Sequence, residues 1–140
     1  MCIGNPDGGD DAVGPYIADK LQGSDFLVLN CGTTPENYTG VVKQHNPKKL
    51  VIIDAIDMNQ KPGTTSIVPK NKIGVFTVST HGIPLSVLIN YLEQSVKKII
   101  LIGIQPERMS GDMSDPVKKN AKNLVDIIKK KKFSVIKILE

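Results

Sequence analysis

The sequence predicts an α/β domain, a three-layer sandwich in which a mostly parallel, twisted sheet of five or six strands carries helices on both faces. Three observations predict it. Apolar runs alternate with amphipathic stretches along the chain, the pattern of strands joined by crossover helices. The run at residues 50–53 is unbroken Leu and β-branched residues, as a strand covered on both faces requires, and residues 98–104 read the same way. A length of 140 residues supports one hydrophobic core, so residues 1–140 form a single domain.

Each element follows from its local signals. Residues 1–4 read as the stub of a first strand. Because a parallel strand usually runs about five or six residues, the native chain is expected to begin upstream of Met1. A loop rich in Gly and Asp leads into a helix over 11–21, and residues 26–30 form a second strand. Residues 31–37 form a loop entering a second helix, with Pro35 suited to a first turn. Residues 50–54 are the third strand, which ends in a carboxylate. Pro62-Gly63 marks a turn, after which 64–68 return as a strand of unassigned direction. Residues 71–81 are less regular. A third helix over 84–94, a buried strand over 98–104, a fourth helix from Asp115 to about Lys131 and a closing strand over 133–139 complete the chain.

Composition excludes several classes. With 40% apolar and 23% charged residues the chain is neither disordered nor membrane-inserted, since no apolar run approaches the roughly 20 residues a span needs. The formal charge of +4 comes almost wholly from Lys, and Arg108 is the single arginine. Planar bidentate reading of phosphate or guanine is scarcely available, and with Trp 0, Tyr 3 and Phe 3 so is base stacking, so nucleic acid is not an expected partner. Lys129 to Lys132 complement the carboxyl end of a helix. Cys2 and Cys31 form no Cys-x-x-Cys pair and follow no secretory signal, so the expected compartment is a reducing cytoplasm.

In a sheet of this type, functional residues collect beyond the carboxyl ends of the strands. The first loop, Gly4-Asn5-Pro6-Asp7-Gly8-Gly9-Asp10-Asp11, is rich in glycine but lacks the Gly-Lys-Ser/Thr of a phosphate cradle, and adjacent aspartates would repel phosphate from a helix N-terminus. One carboxylate of the pair is enough to cap a helix, which leaves the other for a cation or a polarised substrate group. Asp54, at the end of the third strand, needs a strong partner or a metal if it is buried. His81 lies in Ser79-Thr80-His81-Gly82, whereas His45 falls in a helix end facing solvent. Loops after the first and third strands can converge, and Asp11, Asp54 and His81 together make a mixed oxygen and nitrogen set suited to Zn²⁺, Ni²⁺ or another divalent first-row ion.

At these residues the chain resembles the [NiFe]-hydrogenase maturation endopeptidases, which remove a C-terminal extension from the precursor of a hydrogenase large subunit. Gly4-Asn5 with Gly9-Asp10-Asp11-Ala12-Val13-Gly14-Pro15, Cys31-Gly32-Thr33-Thr34-Pro35-Glu36-Asn37, Val51-Ile52-Ile53-Asp54-Ala55-Ile56-Asp57, Ser79-Thr80-His81-Gly82-Ile83-Pro84-Leu85 and Gly103-Ile104-Gln105-Pro106-Glu107 match family elements in order. They look most like the branch serving formate-hydrogenlyase-type hydrogenases. The resemblance implies that Asp11, Asp54 and His81 are the catalytic and metal-contacting residues of an aspartyl-type peptidase. It further implies that they contact nickel already inserted in the precursor, for which Zn²⁺ or another divalent ion can stand in. No organic cofactor is implied, and the expected partner is the large-subunit precursor, met by a monomer. Cys31 stands where the family commonly has Gly, which puts a soft thiol near the site.

Peptide hydrolysis needs a nucleophile, carbonyl polarisation and a proton for the leaving amine. Water is favoured, because no Gly-x-Ser-x-Gly elbow or evident Cys-His pairing is present, although a spatial pairing of Cys31 with His81 stays open. Whether the metal polarises the carbonyl or only positions the substrate's tail, with Asp11 or Asp54 moving the proton, is also open. A receiver-like phospho-acceptor domain would share the paired acids and Asp54, but it wants a Lys at the end of the penultimate strand, where Gln105-Pro106 stands. A peptidyl-tRNA hydrolase shares the Gly-Asn-Pro opening but has an Arg-His-Asn element with no counterpart here. A non-catalytic α/β binding domain of the same architecture is the remaining alternative.

Overall fold

The computed structural model describes residues 1–76 and 82–140. Six strands form one sheet in the order β2-β1-β3-β5-β4-β6. They are β1 (Cys2–Ile3), β2 (Asn30–Gly32), β3 (Lys49–Ala55), β4 (Thr65–Val68), β5 (Lys98–Ile104) and β6 (Lys137–Ile138). The pairings of β1 with β2 and β3, of β3 with β5 and of β4 with β6 are parallel. Only β4 runs antiparallel to its neighbour β5, which settles the direction the sequence left open. The expected sandwich is therefore present.

Helices α1 (Val13–Leu21) and α5 (Asp115–Lys129) cover one face, and α2 (Thr39–His45), α3 (Lys70–Phe76) and α4 (Leu85–Leu92) the other. Alternation along β3 builds both layers: Leu50 and Ile52 enter the core under α2, α3 and α4, while Ile53 enters the core under α1 and α5. Asp54 shares the parity of Leu50 and Ile52, so it belongs to the α4 face. Asp54 lies opposite Gly103 in the β3–β5 register, where a Cβ would stand 2.9 Å from Met58 Sδ. The absent side chain gives Met58 its place in the core.

Three expectations need correction. The second strand is Asn30–Gly32, not 26–30. The register sets Cys2 against Asn30 and Ile3 against Gly32, so the ladder with β1 falls on 30–32. Residues 70–76 are helical rather than irregular, because Ile73 enters the core and α3 packs on α4. The rest of that stretch, 77–81, lies outside the described residues. The segment 133–139 is a 3₁₀ turn at Phe133–Val135 followed by the two-residue β6, so the closing strand is shorter than expected. The described residues thus hold five α-helices rather than four.

Candidate active site

The chain leaves β1 towards β2 on one side and towards β3 on the other, so the carboxyl ends of β1 and β3 flank a topological switch point, where α/β sheets bind ligands. Gly4, at φ +151°, ends β1, and a Cβ there would fall on the Asp11 backbone carbonyl. A Cβ on Gly14 would fall on the Ile3 carbonyl. Two absent side chains thus let the start of α1 close onto β1, and the 3₁₀ turn Gly9–Ala12 carries both aspartates against β3.

The pair then divides its work, although neither side chain caps a helix of the first loop. Asp10 is fully buried and turned towards residues 107–114. Its Oδ2 accepts from the backbone N–H of Glu107 (2.7 Å) and Arg108 (3.1 Å) and from the Ser114 hydroxyl (2.8 Å), and its Oδ1 accepts from the Ser114 N–H (2.7 Å). Burial alone would raise its pKa. The donors at Ser114, Glu107 and Arg108 outweigh burial and hold the carboxyl below the usual carboxylate value. Ser114 is the N-cap residue of α5, so Asp10 fastens the first loop to the start of the last helix.

Asp11 is 5% exposed. Its Oδ2 accepts the Asn5 N–H at 2.9 Å, while its Oδ1 is buried and has no hydrogen-bond partner among the described residues. Asp54, near the end of β3, is 2% exposed and engages a partner. The two aspartates singled out in the sequence therefore stand at the carboxyl ends of neighbouring strands, one from each side of the switch point. His81 lies outside the described residues, and the structure describes its loop again from Gly82.

Two features escaped sequence reasoning. Gln105, 6% exposed at the end of β5, accepts at Oε1 from the N–H groups of Met58 (2.7 Å) and Gln60 (3.1 Å). Its Nε2 donates to Asp57 Oδ1 (3.0 Å) and the Pro106 carbonyl (3.3 Å). One carboxamide thus pins the loop that follows Asp54. Hydrogen bonds from Gln105 and the Asn59 N–H hold the Asp57 carboxyl below its ordinary value against a small effect of burial, so Asp57 serves that loop. Glu36, in the 3₁₀ turn Pro35–Tyr38 before α2, is the other: its Oε2 is buried without a hydrogen-bond partner among the described residues. The Gln105-Pro106 element marked the first in sequence, and a charged residue inside Pro35-Glu36-Asn37 was the available signal for the second.

Cys31 is not a thiol presented to the site. It is 2% exposed in the core under α4, its Sγ donates to the Leu29 carbonyl at 3.6 Å, and burial pushes its pKa up to about 11. At neutral pH it is a protonated core side chain. Cys2 is buried too, and burial likewise raises its pKa. His45 and the lysines at 129–132 are exposed, as expected. The apolar cavity of about 200 Å³ at the amino edge of β1 and β3 carries no carboxylate among its lining residues.

Among the described residues the switch point is furnished with buried carboxylates and shows no phosphate cradle, which defines an α/β domain with an acidic strand-end site. Comparison narrows the class: the chain belongs to the hydrogenase maturation protease family, whose profile matches residues 15–131. It is 34% identical over 124 residues to the hydrogenase 3 maturation protease of Escherichia coli K12, covering 84% of this chain and 80% of that protein. Among solved structures, the endopeptidase HycI from E. coli superposes with a TM-score of 0.90 at 29% identity, covering 99% of this chain and 94% of that one. The [NiFe] hydrogenase maturation protease HycI from Thermococcus kodakarensis gives a TM-score of 0.82 at 34% identity, covering 92% of this chain and 87% of that one. The chain is thus a peptidase of this family, and the receiver-like and tRNA-hydrolase readings fall away.

Proposed function

We propose that the protein removes the C-terminal extension from the precursor of a [NiFe]-hydrogenase large subunit, and that it recognises nickel already held by that precursor through Asp11, Asp54 and His81. The observation that carries this reading is the buried, partnerless Oδ1 of Asp11 beside the strand that delivers buried Asp54. A carboxylate oxygen shut away from both water and donors is expensive, and an incoming cation removes the cost. Hard carboxylate oxygens with one imidazole suit a divalent first-row ion.

The nickel is substrate here, arriving with the precursor and supplying a Lewis-acidic centre once docked. The chain's own groups do the rest. Asn5 N–H fixes Asp11 Oδ2, which leaves Oδ1 as the oxygen available to the incoming ion. Asp54 is held by the β3–β5 ladder at the opposite side of the switch point. Water is the nucleophile in this reading, because the Cys31 thiol is protonated and buried, and a carboxylate of the pair accepts its proton. The reading places the reaction in the cytoplasm, which suits two free, buried cysteines.

The test is a processing assay on nickel-loaded and nickel-free precursor. The loaded form should be cut and the empty form left intact, and His81→Ala should abolish cleavage without loss of fold. Equal cleavage of both forms would overturn nickel-gated recognition, and full processing by His81→Ala would remove the imidazole from the site.

A further inference from the structure

Resting on the protease reading above, we propose that Asn5 is a catalytic residue whose side-chain amide donates to the scissile carbonyl oxygen as charge builds on it. Peptide hydrolysis calls for such a donor, and a carboxylate has no proton to offer as one. The backbone of the first loop is already spent inside the fold. The N–H groups of Gly4, Asn5, Asp7, Gly8, Asp10 and Asp11 all have acceptors there, and Pro6 has no N–H. Residues 4–15 contain no Lys or Arg. Asn5, Pro6 and Asp7 form the exposed part of the loop, so the Asn5 NH₂ is the donor they hold out to a docked chain.

The carboxamide is oriented as well as exposed. Its Oδ1 accepts the Asp7 N–H at 2.9 Å, and because a backbone N–H only donates, the oxygen must face it and the NH₂ takes the other end. That NH₂ has no acceptor among the described residues. The rest of the residue is held as firmly: its N–H donates to Asp11 Oδ2 at 2.9 Å, and its carbonyl accepts from the Gly8 N–H at 3.0 Å. Gly8 also lets the two side chains close together, since a Cβ there would lie 3.1 Å from the Asp11 Cβ and 3.2 Å from the Asn5 Cβ. A donor fixed in advance beside the acidic site needs no reorganisation at the moment of reaction. In that reaction water adds to the carbonyl carbon, its proton passes to a carboxylate of the Asp11–Asp54 pair, and the carbonyl π electrons move to the oxygen, which accepts from Asn5 Nδ2. Collapse restores the C=O bond, breaks the C–N bond and sends the held proton to the leaving amine. Asn5 keeps its own protons throughout, so its effect is electrostatic and grows only as charge develops.

The experiment measures single-turnover cleavage of nickel-loaded precursor by excess enzyme, for wild type, Asn5→Asp and Asn5→Ala. Asn5→Asp keeps an oxygen for the Asp7 N–H and replaces the NH₂ by a second acceptor, whereas Asn5→Ala removes the donor without adding charge. At saturating enzyme both variants should cut about a hundredfold to a thousandfold more slowly than wild type, with the half-saturating concentration within about threefold. The saturated rate does not depend on the folded fraction, so partial unfolding cannot imitate the loss. A wild-type saturated rate in either variant, or a change confined to the half-saturating concentration, would overturn the assignment. Failure of wild type to cut the loaded precursor would instead overturn the protease reading on which it stands.

Discussion

Asp10 and Asp11 are consecutive, acidic and buried, yet the two sides of their turn are built to opposite rules. The side that carries Asp10 packs on residues 107–114, where four hydrogen bonds converge on one carboxylate and give each of its oxygens a donor. On the Asp11 side, towards β3, one oxygen takes the Asn5 N–H while the other has no donor among the described residues. Burial is common to both and distinguishes nothing. What separates a strut from a site is whether the buried polar atom is satisfied, because native folds rarely leave such atoms unpaired without a use for them.

The sharpest way to break this comparison is to neutralise each aspartate in turn. Asp11→Asn keeps the size of the side chain and the acceptor for Asn5 but removes the charge. Processing of nickel-loaded precursor should fall at least a hundredfold, the scale at which removing a preorganised charged group is felt in catalysis. Its unfolding midpoint in urea should stay close to wild type. A variant that cleaves normally would show that the unpaired oxygen is not a functional one.

Asp10→Asn should do the reverse. An amide NH₂ would face backbone or hydroxyl donors at one of the two oxygen positions, leaving buried donors unsatisfied, at a cost of about 3 kcal/mol in unfolding free energy. Its effect depends on pH in a determined direction. The folded pKa of Asp10 lies below its unfolded value of about 3.9, so its contribution is complete above that value and is lost as pH falls through the folded pKa. Urea titrations should therefore show wild type well above Asp10→Asn at pH 7, with the two curves converging in acid. Parallel curves down to the lowest pH at which the protein folds would mean that Asp10 is not the ionised anchor described.

How much of this division could be read from the chain follows the range of each interaction. β5 was legible to the residue at 98–104, and β3 within one residue at each end, because continuous burial writes itself into a continuous apolar run. The placement of Asp11 and Asp54 at neighbouring strand ends was legible because the alternation of strands and helices fixes where each strand stops. The anchoring role of Asp10 was not, since its partners come from Glu107, Arg108 and Ser114 at the far end of the sequence. The helix at 70–76 was hidden for a related reason. Gly74 and the β-branched Ile73 and Val75 weaken its intrinsic preference, and packing of Ile73 into the core decides the outcome. The second strand was misplaced because its bounds depend on the register of β1, which no local pattern contains.

Cys31 gives the smallest expected effect and the finest distinction. It sits in β2, just before the second loop, where a thiol near a metal would matter greatly, yet its side chain belongs to the core, protonated and bonded to the Leu29 carbonyl. If burial with satisfaction marks structure, Cys31→Ala should leave kcat/KM within about twofold of wild type, because no step of catalysis draws on the thiol. The change should cost about 1 kcal/mol in unfolding free energy, for the small core volume and apolar contact it removes. Processing assays with nickel-loaded precursor, run beside urea denaturation of the same preparation, read both numbers. A tenfold loss of activity with unchanged stability would move Cys31 from the Asp10 side of the comparison to the Asp11 side, and would add a soft thiol to the residues proposed to meet the nickel.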